Sequence, residues 1–148
     1  MLRSLLGMLG LMWSANAATF DGPALELDEL MAYSESVVVG EVRSKHAVDG
    51  GPGIETIVEV RVTETFQGTP APVVEIRIPG GELDGLVLTV SGAPQLEIGE
   101  SVVVFVDEDN EVVGFNQGLF HIQGDIGWSD GGDAMRVLPY EELRRELR

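Results

Sequence analysis

The side chains that most often carry catalysis are few here and are not spaced to act together. His46 and His121 are the only histidines, and neither has a second ligand at metal-binding spacing. His121 alternates with Phe120 and Ile122, a pattern that puts it on one face of a strand as surface decoration. The serines Ser34, Ser36, Ser44, Ser91, Ser101 and Ser129 all lack a Gly-x-Ser-x-Gly setting, and Ser91-Gly92 reads as a turn. There is no cysteine, which removes thiol catalysis, thiolate metal sites and disulfide exchange. No catalytic, cofactor-binding or metal-ligating residue is singled out, and no cofactor is expected.

Two stretches concentrate oxygen donors: Asp107 to Glu111, and Asp125 with Asp130-Gly131-Gly132-Asp133. Calcium takes such hard ligands, but neither stretch has the central glycine and closing glutamate of a twelve-residue calcium loop. Solvated turns between strands account for both. Carboxylate pairs are plentiful, yet none stands in an apolar run of the kind that raises a catalytic carboxyl. The remaining chemistry is recognition. Trp128 lies in a glycine-rich loop and Phe115 precedes Asn116-Gln117-Gly118, so Asn116, Gln117 and Trp128 are the expected ligand-contact residues. Trp128 could equally fold back as a lid on the core.

The amino terminus gives these residues a location. Arg3, an apolar run from Leu5 to Trp13 and then Ser14-Ala15-Asn16-Ala17-Ala18 follow the order of a secretory signal peptide, with cleavage expected after Ala17. Residues 1–17 are thus read as a signal peptide and 18–148 as one domain, exported to the periplasm or beyond. The apolar run is shorter than the roughly 20 residues a bilayer span needs. With 25 acidic against 9 basic residues, the formal net charge is −16. Such a surface repels phosphate, so nucleic acid and anionic membranes are excluded as partners, and an extracytoplasmic protein is the expected one. An apolar content of 44% argues against disorder.

The elements that would hold these residues read mostly as strands. Leu27, Leu30 and Met31 at helical spacing predict a short helix over 26–33, without a good cap at its start. Val37 to Val39 begin a first strand buried on both faces, closed by a loop over 48–53. From Ile54 to Phe66 the alternation is sustained, with Val58, Val60, Val62 and Phe66 on one face. Further strands are expected at Val74 to Ile78, Leu86 to Val90, Val102 to Val106, Glu111 to Phe115 and Leu119 to Ile122. An irregular loop is expected over 123–133, a brief strand over 134–138, and a helix over 139–148. Pro139 suits its first turn, Glu141 and Glu142 its positive end, and Arg144 and Arg145 its negative end. The sum is a mostly β, small closed barrel, or alternatively a β-sandwich, with a short N-terminal and a C-terminal helix.

Leu27-Asp28-Glu29-Leu30, Ser36-Val37-Val38-Val39-Gly40, Thr65-Phe66-Gln67-Gly68, Pro79-Gly80-Gly81 with Gly85, Ser91-Gly92-Ala93-Pro94, Gly99-Glu100 and Gln117-Gly118-Leu119-Phe120 occur in an order that resembles a little-characterised OB-like domain of exported bacterial proteins, sometimes associated with matrixin-type metalloproteases. The resemblance covers most of residues 25–122 and implies an OB-like barrel in an exported setting. It supplies no catalytic residue, and the chain lacks His-Glu-x-x-His, so protease activity does not follow. The expected function is a noncatalytic exported binding or accessory module. The alternatives are a hydrolase with a site invisible to motifs and a calcium-stabilised accessory domain.

Overall fold

The computed structural model describes residues 24–129, 131 and 135–148. The signal-peptide reading, Asp130 and Asp133 of the second acidic stretch, and the first residue of the strand expected over 134–138 lie outside them. The chain is mostly β. Helix α1 (Leu27–Ala32) precedes strands β1 (Ser36–Asp49), β2 (Ile54–Gln67), β3 (Val73–Pro79), β4 (Gly81–Leu83), β5 (Leu86–Leu88), β6 (Ser101–Val106), β7 (Leu119–Gln123), β8 (Ile126–Ser129) and β9 (Arg136–Pro139), and helix α2 (Tyr140–Leu147) ends it. Seven strands form one antiparallel sheet in the order β3-β2-β1-β6-β7-β8-β9, and β4-β5 form a separate hairpin. No described helix is long and apolar enough to cross a membrane.

The sheet is buried on both faces at its centre. Val38, Val42, Val58, Val60, Ile76, Val102 and Val104 form one core layer. Val37, Val39, Val103, Phe105 and Phe120 form the other, covered by Leu30 of α1 and by Leu143 and Leu147 of α2. The uninterrupted valine runs of β1 and β6 have this cause, since a strand covered on both faces has no wet side for polar residues to occupy. At α1, Glu29 Oε1 accepts the Glu26 amide at 3.1 Å, so the start does have a side-chain partner.

Bulges decide which core each β2 residue joins. Along the β1–β2 ladder, Val39 pairs Glu64 while Gly40 pairs Val62, and Val37 pairs Gln67 while Val38 pairs Thr65, which leaves Thr63 and Phe66 as extra residues on β2. One extra residue inverts the alternation beyond it. Val58, Val60 and Val62 therefore share one layer as the spacing predicts, whereas Phe66 packs in the opposite layer. A Cβ at Gly40 would lie 2.5 Å from Arg61 O, so glycine is needed where the two strands cross this closely.

The sheet also rolls. The Arg77 amide of β3 donates to Asn110 O in the β6–β7 connection at 2.8 Å. In a flat sheet, three strand spacings, roughly 14 Å, would separate β3 from β6. Among the described residues no ladder joins the end strands β3 and β9.

Three expected elements differ. Residues from Glu111 to Phe115 do not form a strand: after one bridge between Val106 and Val112, the chain turns so that the Val113 and Gly118 amides reach Phe105 O and Val113 O. This sends Val112 into one core layer and Val113 into the other. The irregular loop expected over 123–133 contains β8, paired with β7 around a turn at Gly124 with φ 60°. Leu86 to Leu88 belong to the outlying hairpin and do not extend the main sheet.

Candidate functional site

The expected contact residues have separate surroundings. Trp128 lies on β8, where its ring stacks on His121 with centroids 4.3 Å apart and planes 25° apart. Register places Val102, His121, Trp128 and Val137 in one row across β6 to β9. Burial falls along that row, from a fully buried Val102 to a Val137 that is 59% exposed. His121 is buried, and its Nδ1 lies 2.9 Å from Glu100 Oε2. Asn116 Nδ2 donates to Gly92 O at 2.8 Å, tying two turns together. Gln117 is only 2% exposed. Its Oε1 accepts the Leu25 amide at 2.6 Å, and a Cβ at Gly131 would lie 2.5 Å from its Cα. Gln117 therefore lies in the interior against Leu25 and Gly131, its Oε1 engaged and its buried Nε2 making no hydrogen bond among the described residues.

A large apolar concavity lies elsewhere, beside the β4–β5 hairpin. Asp84 (φ 53°) and Gly85 (φ 79°) are both left-handed, the requirement of a type I′ turn, and a two-residue Asp-Gly link is the sequence signal for one. The base of the hairpin is pinned to β2: Thr56 Oγ1 donates to Gly80 O at 2.7 Å, and the Gly80 amide donates to Ile54 O at 2.8 Å. Leu86 and Val87 are 69% and 68% exposed. A cleft of about 710 Å³ runs between the hairpin and the neighbouring loops, lined by Pro52, Ile54, Leu86, Leu88 and Phe115. A second cleft of about 420 Å³ shares Val87, Leu88 and Val90 and reaches Lys45 and Leu96. Sequence reasoning missed this site because Leu86 and Leu88 look like any alternating core strand.

Comparison with known proteins finds no matching family model, no similar curated protein and no similar solved structure.

Charges sit along one side of the larger cleft. Arg77 Nη2 meets Glu55 Oε1 at 2.5 Å, and that carboxylate holds the guanidinium more firmly charged than usual. Glu111 also lines the cleft, and among the described residues it makes no ion pair. Partial desolvation, followed by repulsion from Asp107 and Asp109, pushes its carboxyl above the ordinary value against a smaller downward pull from Arg77. Asp107 Oδ1 is engaged within its own turn, accepting the amides of Asp109 and Glu111 at 2.9 and 3.0 Å. Among the described residues no three His, Asp or Glu side chains gather as metal ligands. The arrangement can hold an apolar side chain between Leu86, Leu88 and Phe115 while leaving a carboxylate beside it.

Proposed function

We propose that this chain is an exported, noncatalytic binding module, an OB-like rolled barrel whose β4–β5 hairpin and adjoining cleft grip a segment of an extracytoplasmic protein. The observation that carries this reading is the pinned hairpin. It holds Leu86 and Val87 more than two-thirds exposed beside an apolar cleft of about 710 Å³. Exposed apolar side chains on a preformed, rigid element lose little entropy on binding, which is how a small surface gains affinity. The contact between β3 and the β6–β7 turn supports the barrel description, and the apolar run before Ala17 supports export. A double change of Leu86→Asp and Val87→Asp should abolish capture of the partner from an extracytoplasmic fraction while leaving the melting temperature unchanged. Capture that survives both changes removes the hairpin from the function.

A second reading follows from the His121–Glu100 contact, because a carboxylate at Nδ1 is the usual means of orienting a general base. It predicts turnover of an ester, peptide or glycoside that is lost in His121→Ala. Purified protein that is inert toward a broad panel of such substrates counts against it.

A further inference from the structure

Resting on the reading of the cleft as a segment-binding site, we propose that its occupant is a protein segment carrying lysine or arginine directly beside an apolar anchor, with the cation seated against Glu111. Three observations converge on this. The apolar wall of Leu86, Leu88 and Phe115 is continuous with two carboxylates in the same cleft, Glu55, which is engaged by Arg77, and Glu111. The only cation on that lining, Arg77, is in contact with Glu55 and attracts Glu111 from farther off, so Glu111 makes no ion pair among the described residues. Phe115 adopts φ 69° directly after Gly114 at φ 68°. A bulky residue in the left-handed region is strained, and it persists only where its surroundings force the position.

Charge also decides against other occupants. A net charge of −16 repels a second copy of the chain, as well as nucleic acid and anionic lipid, and it draws a basic segment in from a distance. A guest ammonium or guanidinium beside Glu111 would offset the repulsion from Asp107 and Asp109. It would stay near solvent, so its contribution is selectivity more than bulk affinity.

The test uses the purified full-length protein and short fluorescent peptides in which Leu-Phe is followed by Lys, Gln or Glu. Polarisation should rank them Lys, Gln, Glu in falling affinity. The step from Lys to Gln should be about fivefold, shrinking as salt rises from about 0.02 M to about 0.5 M. Glu111→Gln should erase the ranking while leaving the Gln peptide bound as before. Equal affinity for all three peptides, or a ranking that persists in Glu111→Gln, overturns the cation preference and leaves the apolar cleft standing. If none of the three binds, both the preference and the segment-binding reading fall. Concentration-dependent dimerisation lost in Leu86→Asp would assign the cleft to a second copy and overturn the proposal.

Discussion

The indole of Trp128 lies flat against the imidazole of His121, 4.3 Å between centroids, at the point where the buried centre of the sheet gives way to its open end. Trp128 therefore covers one face of a buried histidine while keeping part of its own surface accessible. Aromatic pairs of this kind contribute about 0.5–1.5 kcal/mol beyond the area they bury. Trp128→Ala should accordingly lower the melting temperature by several degrees, as read by circular dichroism. An unchanged melt would mean that the stack carries no stability and that Trp128 is free to act purely as a contact.

Val60 tests the core. It is fully buried on β2 between Val42 of β1 and Val74 of β3 in register. Placing a carboxylate there leaves a charge with no partner, a cost of about 3–5 kcal/mol or more in a domain whose total stability is about 5–15 kcal/mol. Val60→Asp should be largely unfolded at room temperature by circular dichroism. A cooperative melt near that of the parent protein would mean that the layer is misassigned.

Alternation made this layer legible in the sequence, because Val58, Val60 and Val62 lie on an unbroken stretch of pleat. Phe66 was not legible, because the bulges at Thr63 and Phe66 depend on how β1 crosses β2 and invert a parity that the sequence alone presents as continuous. Gln117 reads as a polar loop residue, and what makes it internal comes from elsewhere in the chain, the Leu25 amide 92 positions away and the backbone at Gly131. For Leu86 and Val87 the failure has another cause. Apolar alternation specifies which residues avoid water if something covers them, and it does not say whether a second layer is there. The terminal helix was legible because Pro139, the acidic first turn and the basic last turn are local signals.

The pH dependence of stability should expose Glu111. Its folded-state carboxyl is raised above the ordinary value of 4.5, chiefly by desolvation, so the folded protein holds this proton more tightly than the unfolded chain does. That contribution is fully present below pH 4.5 and is lost as pH rises through the folded value, so at neutral pH the ionised side chain opposes folding. Glu111→Gln should raise the melting temperature at pH 7, with the gain disappearing as pH falls toward 4. A gain that is equal at both pH values would trace to something other than ionisation.

Calcium is a sharper question for the Asp107 to Glu111 turn. Asp107 commits Oδ1 to two backbone amides, which leaves Oδ2 as the oxygen it can offer a cation, too few from this side chain for a tight site. Calorimetric titration should therefore reveal no site tighter than about millimolar. A micromolar isotherm abolished by Asp109→Ala would establish the calcium-stabilised alternative.

Gly85 separates the hairpin from the fold that carries it. Its φ of 79° is required by the turn, yet a Cβ built there would meet nothing within 4 Å, so substitution acts through the backbone alone. A β-branched residue held in the left-handed region costs about 1–3 kcal/mol. The β4–β5 pair has only three register pairs to oppose that cost. Gly85→Val should open the hairpin locally. The backbone amides of Leu86 to Leu88 should then exchange with solvent faster, while β1, β2 and β6 keep their protection and the global melt moves little. Because the cleft wall formed by Leu86 and Leu88 would lose its fixed position, capture of the partner should fall together with that local protection. Full capture by a Gly85→Val protein whose hairpin amides are demonstrably unprotected would show that the rigidity of the hairpin plays no part in recognition.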